Sequence, residues 1–502
     1  MLLPYLRMIS PGLGPILKKL MMVGLLHVLF IFTGLGQEPL RLSAQQARED
    51  LNCLKFSLEY THPRLYKFNN KATFDRQFEA AFKAVEAGIS GIDLLGLISN
   101  INASVHCGHL YTIPQAELRE EILAKKVLPF YIRLAGEEFY VFQDCSPQNT
   151  IPDGSKLLSI NGRTRQEIYD LILPSIAADG YITTRKNRLM ERYFSPTVYG
   201  FDLYYLLQVD QSSRYEIAYQ EFGSQEVKRL TKEGMMREER KKVLLERYGM
   251  DQAAWFKKPS PQFEVNQEEN YVILSITRSF FDPKVDPDYD SLLRAAFQEL
   301  QAKKIAHLIL DIRDNEGGSE HQQQELMAYL YDQPFKLYQH IYQSHIDFRP
   351  LKPFILERDT SQLLFNNDDA YMRRFSSQLW VNNYEYDKNL QLQAPKSPFY
   401  EGQVYVLMNG ISFSSAADMI SGIKKTRPAI FIGEESGGLF EGPTGGISIV
   451  VQLPHSKVMV RISPNIHISS LYQKHPFGRG VLPDHPIQYR VEDLLEGRDL
   501  AM

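Results

Sequence analysis

The stretch Val404-Tyr-Val-Leu-Met-Asn409-Gly410-Ile-Ser412-Phe-Ser414-Ser415-Ala-Ala-Asp418 joins an apolar run to a run of small residues through an Asn-Gly turn. It reads as a buried strand delivering its end into a helix, the junction that gives a parallel α/β sheet its ligand-binding edge. Earlier in the chain, Leu308-Ile-Leu-Asp311-Ile-Arg313-Asp-Asn315-Glu-Gly317-Gly318 repeats the move and ends in glycines. Without β-carbons there, the N–H groups of Gly317 and Gly318 can come close to a substrate and hold an oxyanion. Asp311 and Arg313 are expected to pair with each other and brace the turn. Ser414 offers a hydroxyl at a helix N-terminus, and the Ser415 N–H is a second oxyanion donor. Serines at such junctions also cap helices, so Ser412, Ser414 and Ser415 have that role open to them as well.

Strand and helix patterns alternate around these two motifs. Strands are expected at 271–276, 305–311, 404–408 and 429–433, with helices at 289–300, 320–331 and 415–425. This gives an α/β core with a largely parallel sheet over residues 263–495. Residues 340–400 are aromatic-rich and yield no assignment. Upstream, residues 37–125 read as a helical N-terminal region. It opens with a helix over 43–60 that carries Leu51, Leu54 and Leu58 on one stripe and Ser43 as N-cap. Short strands replace helices over residues 126–224, where Gly154-Ser-Lys-Leu157-Leu-Ser-Ile160-Asn161-Gly162 leads through an Asn-Gly hairpin into a helix from Arg165. Residues 225–262 interleave Lys, Arg and Glu and read as a solvated helix or charged connector.

The chain has 502 residues, 44% of them hydrophobic and 23% charged, a globular composition with room for more than one domain. Residues 1–36 carry Lys18 and Lys19 ahead of an apolar run to Phe32, then Gly34-Leu-Gly36 before Gln37. The run is short for a membrane span, so a cleaved signal peptide is expected, and with it a periplasmic or extracellular protein. Membrane association would come only through an uncleaved signal. The remainder has 53 basic and 60 acidic side chains, a formal charge of −7 without a basic cluster, which argues against nucleic acid as a partner. Cys53, Cys107 and Cys145 allow at most one internal disulfide. No His, Cys or Glu cluster has ligand spacing, so neither metal nor cofactor is expected.

In this order, the two motifs resemble those of the C-terminal processing, or tail-specific, serine peptidases and their tricorn-core relatives. Ile432-Gly433-Glu434 and Gly480-Val481-Leu-Pro483-Asp484 continue the likeness, and residues 154–172 resemble the carboxyl half of a PDZ domain. The resemblance implies a crotonase-like (ClpP/tricorn-type) α/β core, a PDZ-like module and Ser414 as nucleophile. It also shows departures. Leu439 stands in the place of the processing peptidases' general-base lysine, and Lys424 and Lys425 are expected to face solvent. Ala417 stands where the family has a glutamate, with Asp418 beside it.

A serine hydroxyl needs a base to become a nucleophile. Val105-His-Cys-Gly-His109-Leu resembles the Gly-His-Thr segment of tricorn-like members, which implies His109 as base. Histidine suits the task with little pKa adjustment. Of the 12 histidines His109 ranks first and His106 a distant second. The glutamate that orients such a base would fall at Phe477 or Gly478, so the orienting group is absent or comes from elsewhere. The resulting expectation is a serine-type peptidase acting on peptides or unfolded proteins. The alternative is a catalytically inactive member of the family that binds a peptide or hydrophobic ligand.

Overall fold

The computed structural model describes residues 38–502 apart from 256, 281, 283, 284 and 357–370; the expected signal peptide lies outside these residues. Leu40–Met502 forms one unit. Helices α1 (Ala44–Thr61), α2 (Lys71–Ala84) and α3 (Gly91–Ala103) build its N-terminal part. Ser43 caps α1 as the sequence suggests, in a reciprocal box with Gln46. The inward stripe of Leu51, Leu54 and Leu58 is fully buried. After α3 the chain makes a tight turn into a short strand, β1 (Tyr111–Ile113), and then helix α4 (Ala116–Ala124).

The next part is an antiparallel sheet wrapped around helices. Strands β2 (Tyr131–Ala135), β3 (Glu138–Phe142) and β4 (Ser155–Ile160) are followed by helices α5 (Arg165–Ile172), α6 (Thr183–Met190) and α7 (Gly200–Gln208). Asn161 and Gly162 both take positive φ, 49° and 77°, which makes the hairpin the Asn-Gly pair predicts. Strands β5 (Arg214–Gln220) and β6 (Val227–Glu233) complete the order β6-β5-β4-β3-β2.

The charged segment includes the helix its sequence allows but is less solvated than expected. Its first part is strand β6, and its second is helix α8 (Arg237–Tyr248), whose Arg237, Arg240 and Leu244 form a buried stripe at helical spacing. Arg237 donates to the carbonyls of Ile122 (3.1 Å) and Lys125 (2.7 Å), closing the end of α4. Arg240 donates to Leu128 O at 2.8 Å, pairs with both carboxylate oxygens of Asp202 on α7, and lies 4.2 Å above the Tyr131 ring. Guanidinium forks that satisfy orphan carbonyls are buried for their donors, which a charge count cannot show.

The α/β core begins with β7 (Gln262–Asn266) and β8 (Tyr271–Ser275), then α9 (Tyr289–Ala302), β9 (His307–Asp311) and α10 (Glu320–Leu330). Strand β10 (Tyr338–Gln343) enters a separate small sheet with residues 372–374 and 380–382 from the segment left unassigned. Strand β11 (Gln403–Met408), helix α11 (Ser415–Thr426) and β12 (Ala429–Gly433) restore the α/β alternation. The sheet runs β7-β8-β9-β11-β12 and ends on His485–Pro486; β8, β9, β11, β12 and that edge are mutually parallel. Leu308, Leu310, Val404 and Val406 are fully buried in it. At about 1.5–3 kcal/mol for each such side chain, these runs anchor the two motifs.

Strands β13 (Ile449–Gln452) and β14 (Met459–Ile462) form a hairpin, and β15 (Asn465–Ser469) pairs with β10. The N-terminal β1 adds to β14 in antiparallel register, Tyr111 opposite Arg461 and Ile113 opposite Met459. Helices α1 to α3 therefore share one hydrophobic cluster with Ile449, Val451, Val458, Val460 and Ile462. Asp50 of α1, fully buried, accepts the N–H groups of His455 and Ser456 at 2.8 Å each and so holds the hairpin's tip.

Cys53, Cys107 and Cys145 are buried and unpaired. Among the described residues no helix is long and apolar enough to cross a membrane. Replacing Arg240 with alanine leaves Asp202 buried without its cation, and a loss of about 3–5 kcal/mol is expected. Urea unfolding of Arg240→Ala followed by circular dichroism measures it; an unchanged midpoint would contradict the assignment.

Candidate active site

The turns that follow β9 and β11 interlock at the carboxyl edge of the parallel strands. Phe413 N–H donates to Asn315 O (2.9 Å), Ser412 Oγ–H to Ile312 O (2.8 Å) and Asn409 Nδ2 to Asp314 Oδ1 (3.0 Å). Arg313 forks onto Asp311 at 2.8 and 2.6 Å, as the sequence suggests, and also onto Asp499. Gly317 and Gly318 have φ of 84° and 143°. A β-carbon on Gly317 would lie 2.8 Å from Ser414 Cβ, and one on Gly318 2.2 Å from Ser279 O. Both positions require glycine, and the first because the turn lies directly against Ser414.

The three serines divide the work. Ser412 is buried and ties its own turn, its Oγ also accepting from Asn409 N–H. Ser415 Oγ accepts from the Gly318 N–H at 2.8 Å. Ser414 occupies the N-cap position of α11 but makes no capping bond, and its backbone has φ 55° and ψ −131°, a region a non-glycine residue enters only under constraint. Its hydroxyl instead lies 2.9 Å from His109 Nε2. With the imidazole protonated at Nδ1, the hydroxyl donates to Nε2, the geometry a general base needs.

His109 arrives from a segment 305 residues distant, two residues before β1. Its ring, 6% exposed, packs on Phe413 with centroids 4.5 Å apart. A β-carbon on Gly445 would meet its Cε1 and Nε2 at 2.9 Å, so a glycine backbone closes off that edge. Burial, then the charges of Arg185 and Arg461, hold its pKa well below the ordinary histidine value. Nδ1 is buried with no hydrogen-bond partner in the protein, at a cost of about 1–3 kcal/mol. His106 points elsewhere, its Nδ1 2.7 Å from Gly180 O.

Two expectations about donors change. The Gly317 N–H donates to Asn315 Oδ1 (2.8 Å) and the Gly318 N–H to Ser415 Oγ, so both are engaged in this state. Lys425 does not face solvent; it donates to Phe440 O and Ser469 Oγ at 2.8 Å each, and burial lowers its pKa to about 8. It stands eleven residues beyond Ser414 on α11, about 16 Å along the axis, and so is no base for that serine. Lys424 pairs with Asp484.

Sequence reading missed Asp179, Arg185 and Gly445. Asp179, 1% exposed, accepts the Gly108 N–H at 2.7 Å. Arg185 of α6, also 1% exposed, lies 3.5 Å above the Phe413 ring. Oxygen, nitrogen and sulfur donor atoms of Asp179, His109 and Cys107 lie within 4.8 Å of one another, a grouping no local spacing announces. Beside the Gly317 turn, a cavity of about 800 Å³ opens between α6 and the strand ends, with Arg188, Arg313, Glu316, Gly317, Glu434 and Tyr489 in its wall.

Residues 273–487 match the model of peptidase family S41. This region is a peptidase family S41 domain. It holds Ser414, Gly317 and Gly318, whereas His109 lies outside it. No curated protein sequence matches the chain. Mature CPAF, solved in complex with lactacystin, aligns with 90% of this chain and 95% of its own at 13% identity and TM-score 0.58, a likeness of fold. The photosystem II D1 C-terminal processing protease aligns with 88% of this chain and 92% of its own, at 14% identity and TM-score 0.36.

Gly445 has no positive φ, and the atoms nearest an added β-carbon all belong to the His109 ring, so Gly445→Ala presses first on that ring. A displaced ring should slow the reaction of Ser414 with a fluorophosphonate by about 10²-fold without altering the circular dichroism spectrum. Labelling at the wild-type rate would show that the ring's place does not depend on this backbone.

Proposed function

We propose that the chain is an exported serine peptidase that cleaves peptides or unfolded proteins, with Ser414 as nucleophile and His109 as base. The observation that carries this reading is the 2.9 Å approach of Ser414 Oγ to His109 Nε2, made by a serine that leaves its helix uncapped. His109 takes the hydroxyl proton as Ser414 attacks the scissile carbonyl, then returns it to the leaving amine; water repeats the sequence to release the acyl group. The Ser415 N–H at the head of α11 faces the developing oxyanion. Gly318 joins it once the Ser415 hydroxyl turns away. The cavity beside Gly317, with Arg188, Arg313, Glu316 and Glu434 in its wall, gives an extended peptide a charge-lined approach to that turn.

The parallel sheet and its two turns support a crotonase-like core, and the hairpin-to-α5 order supports a PDZ-like module over residues 126–224. A role of the tail-specific kind accords with both, as does export directed by residues 1–36.

One observation favours the inactive, ligand-binding alternative: both glycine N–H groups of the turn are satisfied from within the protein. A fluorophosphonate probe separates the two. Labelling that disappears in Ser414→Ala and in His109→Ala supports the peptidase, whereas a wild type that never labels supports the binder. A protein that turns over small esters but not denatured protein would be an esterase. The sign of the pH dependence follows from His109. Its lowered pKa keeps the ring neutral, hence competent, below the ordinary value of about 6.5, so labelling should hold its rate at pH about 6 and fall only in more acid solution. An acid limb at or above the ordinary value would overturn this account of the base.

A further inference from the structure

His109 Nδ1 and Asp179 Oδ2 are both buried and both without a hydrogen-bond partner in the protein. One is a donor when Nε2 accepts from Ser414, and the other is an acceptor. A carboxylate oxygen of Asp179 and a ring nitrogen of His109 lie within 4.8 Å. A single water spans an interval of that size, since each of its hydrogen bonds covers about 2.8 Å. We propose that Asp179 is the positioning residue of the base: its Oδ2 accepts the Nδ1–H of His109, directly or across one water, while Ser414 is being activated. This rests on the serine-peptidase reading.

The loop that carries Asp179 is fastened to the segment that carries His109. Asp179 Oδ1 accepts the Gly108 N–H at 2.7 Å, the Gly180 N–H donates to His106 O at 3.0 Å, and Gly180 O meets His106 Nδ1 at 2.7 Å. The Tyr181 N–H donates to Gly478 O at 2.8 Å, which pins the loop's other side to the core. Acid and base therefore keep their separation as a pair.

The charges around the pair give the acid its task. When His109 takes the proton of Ser414 it becomes an imidazolium in a site where Arg185, Arg461 and His467 already oppose positive charge. An anionic Asp179 offsets that charge; burial raises its pKa above the ordinary carboxylate value, and the N–H groups of Gly108 and Leu439, with Arg185 and Arg64, act in the opposite direction. The Cys107 thiol does not compete for this role. Burial raises its pKa, so it stays neutral, and its hydrogen is directed to Thr444 O. Only Nε2 handles the moving proton, which it takes from Ser414 Oγ and passes to the leaving amine, with Nδ1–H retained throughout.

The test uses the full chain carrying Asp179→Asn or Asp179→Glu, with loss of fluorophosphonate labelling in Ser414→Ala as the separate check on the peptidase reading. For Asp179→Asn, kcat on a peptide should fall by about 10²-fold or more while KM stays within about threefold. The acid limb of kcat/KM should move to lower pH, and Asp179→Glu should restore part of the rate. A role confined to holding the loop would leave the acid limb in place. An Asp179→Asn protein with kcat within about twofold of wild type and an unmoved limb overturns the proposal while leaving the peptidase reading intact. A wild type that never labels overturns both. Should Asp179→Asn fail to fold, proton NMR of the wild-type phosphonyl adduct decides. A far-downfield imidazole N–H resonance that titrates with His109 is expected, and its absence counts against Asp179.

Discussion

The pairing of three residues, Tyr111–Ile113, with Met459–Arg461 is the contact on which the candidate site depends. It carries His109 to Ser414 across a very long stretch of sequence. Such a pairing gains little by itself, because the chain between its ends must be ordered first. The supporting energy comes from the hydrophobic cluster that α1 to α3 share with the 449–462 hairpin, and from Asp50 clasping the hairpin's tip. The helical N-terminal part is therefore the support that holds His109 on the core.

A second constraint acts from the other side. Ser414 adopts a backbone conformation that costs of order 1–3 kcal/mol, and its neighbours over-determine it. Phe413 N–H is tied to Asn315, Ser412 to Ile312, and Gly437 N–H to Ser412 O at 2.8 Å. Each partner lies at the end of a buried parallel strand or on a loop bonded to one. The strain is borne by the sheet, and its effect is to keep the hydroxyl out of the capping position and turned toward the imidazole.

The elements that were legible in the sequence are those whose pattern is local. The strands at 404–408 and 429–433 and the helix at 415–425 end within a residue or so of their expected bounds, because an apolar run, an Asn-Gly turn and small residues each speak for themselves. Ser43 was legible as a cap and Asp311–Arg313 as a brace for the same reason. His109 needed a family resemblance, since nothing in 105–110 states that its ring will meet a serine in the core. Arg237 and Arg240 defeat a reading by charge alone, because their donors serve carbonyls that sequence cannot assign. Lys425 is of the same kind: its ammonium reaches Phe440 O and Ser469 Oγ, both supplied by later segments. Asp179 and Gly445 lie in loops whose meaning exists only after the fold has brought them beside one imidazole.

The electrostatics of the site favour one charge distribution over another. Arg185 is buried, and its guanidinium lies against the Phe413 ring rather than against a carboxylate at close range; its bond to Glu316 is a long 3.4 Å. A cation held in this way lowers the basicity of His109 at rest and favours negative charge nearby. Phe413 moderates the first effect. It packs against both the guanidinium and the imidazole, and the face of an aromatic ring attracts positive charge. The resting dyad is thus a neutral imidazole beside a neutral hydroxyl, which suits a site shielded from water. In the proposed reaction, proton transfer creates an imidazolium and an oxyanion together, the second at the positive end of α11. Arg185 and the helix both favour the oxyanion, so the charge left without a counterpart is the imidazolium. In the proposed reaction the group that balances it is an acid behind the ring, on the side of Nδ1.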